Sequence, residues 1–126
     1  ELGNLESYRD WGHAEDYVEA MWLMLQQDKP EDYVISTGET IQIKDFVKKC
    51  LDQLDIKYEF KGNEVFDDKG NQIIKTNPIF FRPAEVDILK GDYSKAKENL
   101  NWNPKHTLEI LVKDMLDADL KRFNNQ

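Results

Sequence analysis

The stretch Ala14-Glu-Asp-Tyr-Val-Glu-Ala-Met-Trp-Leu-Met-Leu-Gln-Gln27, followed after Pro30 by Tyr33-Val-Ile-Ser-Thr-Gly38, decides the fold class. Ala14, Tyr17, Val18, Met21, Trp22 and Leu25 recur at the spacing of one helical face. Glu15 and Asp16 fall in the first turn, where the helix dipole favours negative charge, and Pro30 prevents continuation. Tyr33 to Ser36 is a short β-prone run ending at the Thr37-Gly38 turn, so a strand is expected there. A second helical period follows at once in Ile43, Phe46, Val47, Cys50, Leu51 and Leu54. Helix, strand and helix in succession make this a mixed α/β chain with intermingled helices and short strands.

Outward from that stretch the signals alternate. Lys57 to Phe60 alternates as a strand does. Val65-Phe66 and Gln72 to Ile74 flank Asp67-Asp-Lys-Gly-Asn71 and read as a β-hairpin. Residues 77–89 carry Pro78 and Pro83 and keep neither period, which predicts an extended loop with a short strand at Ile79 to Phe81. Asp92 to Leu100 reads as a short helix, with Asn101 as its left-handed terminator. Thr107 is placed to cap a last helix whose buried stripe would be Leu108, Leu111, Met115, Ala118 and Phe123. Residues 1–13 show no sustained period and read as a loop, with room for a short strand.

Composition removes several function classes. With 126 residues, 40% hydrophobic types and 33% charged types, the chain suits one domain with its own core. The longest apolar run, Ala20 to Leu25, is far below the roughly 18 residues of a membrane span. No basic, then apolar signal pattern opens the chain, and Cys50 has no partner for an internal disulfide, so a reducing cytoplasm is the expected compartment. A net charge of −8 argues against a nucleic-acid binder. Gly3, Gly12, Gly38, Gly62, Gly70 and Gly91 are scattered, leaving no phosphate-cradling glycine loop.

Two clusters carry candidate chemistry, and both involve arginine, of which the chain has only Arg9, Arg82 and Arg122. In Tyr8-Arg-Asp-Trp-Gly-His13, an arginine beside an aromatic can clamp a phosphate while the ring shields it from water. The same residues also suit a salt-bridged loop with Trp11 packed on the core. In Phe80-Phe-Arg-Pro-Ala-Glu85, a guanidinium can fork onto a diphosphate while a carboxylate accepts from ribose hydroxyls. An internal Arg82–Glu85 surface pair accounts for it equally well. His13, at the start of a helix, reads as a hydrogen-bonded structural residue, and His106 as solvent-facing. Two histidines without a Cys or His at ligand spacing give no case for zinc. Tyr93-Ser-Lys-Ala-Lys97 has the Tyr-x-x-x-Lys spacing of short-chain dehydrogenases. It lacks both the upstream serine or threonine and the glycine-rich loop, so Tyr93, Ala96 and Leu100 are assigned to the buried face of a helix. Cys50 is assigned to packing.

Leu2-Gly-Asn-Leu5, Tyr8-Arg-Asp-Trp-Gly-His-Ala14, the run from Asp16 to Gln26 and Phe81-Arg-Pro-Ala-Glu-Val-Asp87 together resemble the C-terminal part of the GDP-mannose 4,6-dehydratase family, in the extended short-chain dehydrogenase/reductase superfamily. Gly91-Asp92, Lys95-Ala96, Leu100 and Trp102-x-Pro104 continue the resemblance, which is loosest between about Lys57 and Asn77. It departs at Gln42, where the family commonly has a helix-capping serine, and at Asn101, where it has glycine.

The resemblance implies that residues 1–126 are the C-terminal sugar-nucleotide-binding portion of a longer chain, with the Rossmann core largely missing. Residues 14–54 would pack on or join the Rossmann domain, and Tyr33 to Ser36 would be a late strand of its sheet. It implies that Arg9 and Arg82 contact the diphosphate and neighbouring ribose, that Glu85 takes the ribose hydroxyls, and that Asn4 and Trp11 line the nucleotide pocket. The catalytic residues and the NADP site would lie in the missing N-terminal domain, so this portion alone is expected to be inactive. Implied partners are GDP-mannose, the Rossmann domain of the same chain, and further copies in a homo-oligomer, with neither nucleic acid nor membrane. Alternatives are the C-terminal domain of another sugar-nucleotide dehydratase or epimerase, a stand-alone GDP-binding module, or a structural fragment with an incomplete pocket.

Overall fold

A computed structural model describes residues 1–82, Ala84 and 86–125. Its elements, in chain order, are β1 (Tyr8–Arg9), α1 (Ala14–Leu25), β2 (Ile41–Gln42), α2 (Ile43–Gln53), β3 (Tyr58–Lys61), β4 (Glu64–Asp67), β5 (Gln72–Ile74), a 3-10 turn (Pro78–Phe80), α3 (Ser94–Leu100) and α4 (Leu108–Asn124). The architecture is mixed α/β, with short antiparallel strands, as expected.

The local signals account for most boundaries. His13 caps α1 by accepting the Glu15 amide on its ring. Thr107 accepts the Ile110 amide at 3.3 Å and caps α4. Asn101 ends α3 at φ 52° and ψ 33°, the left-handed conformation that asparagine tolerates. At the start of α2, Gln42 makes no side-chain cap. Its amide instead bonds the Glu6 carbonyl at 3.2 Å, tying α2 to the N-terminal segment.

Two packing units form the core. Ala20, Ala96, Leu100 and Trp102 bring α1 against α3, with Tyr17, Leu23, Met24, Tyr33, Ile35 and Tyr93 around them. Val47 and Leu51 of α2 pack on Val65 of the antiparallel meander β3-β4-β5, flanked by Leu2, Tyr58, Phe60 and Ile74. On the second unit α4 rests against α2 through buried Leu111 and Val112. Antiparallel β1 and β2 pair Tyr8 with Gln42 and Arg9 with Ile41. A parallel bridge between Tyr8 and Ile88 lays the 86–88 segment on the other side of β1.

Four expectations need correction. Tyr33 to Ser36 is not a strand, because a strand exists only by pairing and this run has no ladder partner among the described residues. Ile79 to Phe81 is not a strand either: Asn77 accepts the Ile79 amide at 3.0 Å and Pro78 supplies a preset φ, so a 3-10 turn forms instead. The buried stripe of α4 is confined to its first half, since Met115 is 50% and Phe123 76% exposed where the helix runs past the body. The apolar stripe of α1 also splits. Of the six expected residues only Tyr17 packs on the core, beside Ala20, Leu23 and Met24, whereas Ala14, Val18, Met21, Trp22 and Leu25 are exposed.

Candidate functional site

Between β1, the Thr37–Ile41 segment, α2 and the start of α4 lies a cleft of about 490 Å³. Arg9, Trp11, Thr37, Lys49, Tyr93 and His106 are among its lining residues. Asp10 ties two of its neighbouring segments together. One Asp10 oxygen accepts from the Thr37 amide at 2.9 Å and its hydroxyl at 2.6 Å, and the other accepts from the Gly38 amide at 2.8 Å. Gly38 sits at φ +78°, a turn that presents its amide to that carboxylate without steric cost. Asp10 lies between Arg9 and Trp11 in the chain, so this clamp holds the backbone that carries both cleft residues.

Arg9 extends from the short strand, and its Nη1 donates to the carbonyls of Tyr8 at 2.7 Å and Val86 at 2.9 Å. The two carbonyls fix the plane of the guanidinium and the direction of its fork. They also bring the first arginine cluster against the segment that follows the second, although 77 positions separate Arg9 from Val86. Trp11 packs on Phe46 at 4.6 Å between ring centroids while lining the cleft.

Other candidates stand elsewhere. The Asn4 side chain donates to Ser7 Oγ at 2.8 Å and accepts the Glu6 amide at 2.9 Å, shaping its own loop outside this cleft. Arg82 is exposed and does not line the cleft. Glu85 lies outside the described residues.

Lys49, Thr37 and His106 belong to the cleft and carry no sequence signal for it, because the tertiary fold alone brings them together. Lys49 donates to Glu109 Oε1 at 2.7 Å, and that bond holds the Glu109 carboxyl below its usual range. His106 was expected to face solvent. It is instead half-buried, with Nδ1 at 2.8 Å from Asp16 Oδ1. Asp16 is 1% exposed and accepts the amides of Lys105 and His106 on Oδ2 at 3.0 Å each. Burial alone would raise its pKa, but the donors from His106 and Lys105 outweigh it and hold the carboxyl low.

Tyr93 and Lys97 show no dehydrogenase arrangement. The Tyr93 ring meets Trp102 edge-on at 5.6 Å and joins the core with Ala96 and Leu100. Burial pushes the Cys50 thiol up, which suits packing and disfavours a reactive thiolate. Among the described residues no helix is long and apolar enough to cross a membrane.

Comparison with known proteins places this geometry. The family model described as GDP-mannose 4,6 dehydratase matches residues 1–115. The GDP-mannose 4,6 dehydratase of Drosophila melanogaster is 52% identical over 126 residues, covering 96% of this chain and 32% of the fly protein. The Homo sapiens protein of the same description is 46% identical over 125 residues, covering 95% and 34%. The chain thus spans about a third of the length of the curated relatives it matches. Among solved structures, UDP-glucose 4-epimerase from Thermotoga maritima with UDP-glucose aligns at a TM-score of 0.76 and 24% identity, over 98% of this chain and 35% of that one. RMD from Pseudomonas aeruginosa complexed with NADPH aligns at 0.71 and 16%, over 92% and 34%. At these identities the structural likeness is one of fold.

Proposed function

The chain belongs to the GDP-mannose 4,6-dehydratase family, and we propose that it is the C-terminal sugar-nucleotide-binding portion of such an enzyme, gripping the GDP of GDP-mannose. The observation that carries this reading is the guanidinium of Arg9, held by the Tyr8 and Val86 carbonyls in the cleft that it lines together with Trp11. A guanidinium is the planar donor group suited to the oxygens of a diphosphate, and an adjacent ring excludes water from such a contact. Arg82 would add a second cation, Glu85 would accept from the ribose hydroxyls, and Asn4 would shape the loop flanking the base.

The longer enzyme would convert GDP-mannose to GDP-4-keto-6-deoxymannose and water with NADP. The residues present do not fit that dinucleotide. A pyrophosphate cradle needs glycines clustered at a strand-to-helix turn. Here the positive-φ glycines Gly38, Gly62 and Gly70 lie in three separate turns. We therefore assign NADP, and the groups that move hydride and protons, to the part of the enzyme beyond this chain. The exposed face of α1 supports the same division. Val18 is 62%, Trp22 60% and Leu25 82% exposed, a stripe suited to packing residues 14–54 on a neighbouring domain.

Calorimetry tests the proposal. GDP should bind and UDP should bind more weakly, with Arg9→Ala reducing GDP affinity about 10-fold or more, as expected for a charge-assisted bond. Absence of GDP heat, or equal responses to GDP and UDP, refutes guanine-nucleotide recognition by this portion. With GDP-mannose and NADP the chain alone should show no turnover, and product formation refutes the assignment of the chemistry elsewhere.

A further inference from the structure

Two histidines remote in sequence meet face to face beside the cleft. The rings of His13 and His106 stack at 4.1 Å between centroids, 18° from parallel. Each directs a nitrogen towards a carboxylate. His13 Nε2 is 3.6 Å from Asp114 Oδ2, and His106 Nε2 is 3.5 Å from Glu15 Oε2. One ligand atom from each of His13, Glu15 and His106 lies within 4.8 Å of the other two.

Asp16 orients the ring of His106. Asp16 Oδ1, 2.8 Å from Nδ1, accepts from that nitrogen and turns the opposite edge of the ring outward. His106 Nε2, on the far side of the ring, faces the Glu15 carboxylate. The Asp16–His106 pair is the carboxylate–histidine arrangement that orients imidazoles towards metals.

We propose that His13, His106 and Glu15 form a binding site for a late first-row divalent metal ion of the zinc type, with Asp16 orienting His106 from behind. Two imidazoles and a carboxylate are a donor set that zinc accepts with a fourth position to fill, and Asp114 stands within reach of it. Nitrogen donors separate this site from one for magnesium or calcium, which take oxygen. Binding through His13 Nε2 moves that ring's proton to Nδ1. The 3.2 Å bond from the Glu15 amide is then lost and the two rings turn from stacked to convergent.

Cobalt chloride titrated into the 126-residue chain tests the site. The expected result is a single bound cobalt ion with visible d–d bands of tetrahedral intensity, displaced by zinc chloride. His106→Gln and His13→Asn should each weaken binding about 10-fold or more. Asparagine is itself a good N-cap, so His13→Asn preserves the start of α1. Nitrogen-15 shifts of both histidine Nε2 atoms on zinc addition give a readout that needs no variant. Lack of cobalt and zinc binding at millimolar metal, unchanged affinity in both variants, or no shift at either Nε2 overturns the proposal. GDP plays no part in these measurements, so their outcome is independent of the nucleotide assignment.

Discussion

Asp16→Ala should be among the most damaging single substitutions in α1, although aspartate there reads at first as an ordinary first-turn acid. The carboxylate is 1% exposed and receives three hydrogen bonds, two from the Lys105 and His106 amides at 3.0 Å and one from His106 Nδ1 at 2.8 Å. Hydrogen bonds to a charged group contribute about 1.5–3 kcal/mol each. Their sum overstates the loss, because exposed Lys105 lets water reach part of the site. A cost of about 3–5 kcal/mol is expected, as for breaking other buried ionic contacts. Asp16→Asn should cost only about 1–2 kcal/mol, since its carbonyl can still take both amides while its NH2 faces a His106 ring that switches tautomer.

Urea unfolding followed by circular dichroism measures both substitutions. At a slope of about 2 kcal/mol per molar, Asp16→Ala should move the midpoint down by about 1.5–2.5 M. A shift worth less than about 1 kcal/mol would refute the claim that this carboxylate joins α1 to the Lys105–His106 segment.

Asp16 also predicts a pH dependence. Its folded pKa is depressed, so its contribution is fully present above the unfolded carboxylate value of about 3.9 and is lost as pH falls through the lower folded value. Asp16→Ala should therefore flatten the loss of stability below about pH 4 without abolishing it. Half-buried Asp67 and exposed Asp92, Asp117 and Glu109 are held low as well and keep part of that slope.

Three further substitutions probe local geometry. Thr107→Ala removes the oxygen that accepts the Ile110 amide and should cost about 1 kcal/mol in the same urea assay. Gly3→Ala places a methyl 2.6 Å from the Phe80 carbonyl oxygen, which should cost about 1–3 kcal/mol and loosen the Leu2–Thr76 bridge, visible as faster amide exchange at Leu2 and Asn77. Asn101→Val forces a β-branched residue to φ 52° and should lower the melting point, whereas Asn101→Gly should leave it unchanged or raise it.

Sequence alone determined the features that depend on neighbours within a few positions. The helical period of Ile43, Val47, Cys50 and Leu51 produced α2, and turn residues Asp67 to Asn71 produced the hairpin. Thr107 and Asn101 marked helix ends, because capping is a contact between residues three or four apart. The arginine clusters were legible for a related reason: guanidinium next to an aromatic, or near a carboxylate, is a local chemical pattern.

What required the tertiary structure is whatever depends on distant partners. Tyr33 to Ser36 has β-prone residues but finds no ladder partner among the described residues, and only the packed structure shows that. Which face of α1 is buried rests on α3, which takes Ala20 and leaves Trp22 exposed. The contact between Arg9 and Val86 and the stack of His13 on His106 were equally invisible in spacing. Asp16 and His106 lie 90 positions apart, and no local period encodes their meeting. Short-range hydrogen bonds and periodicity are written along the chain, whereas burial and long-range pairing are settled only when the elements pack.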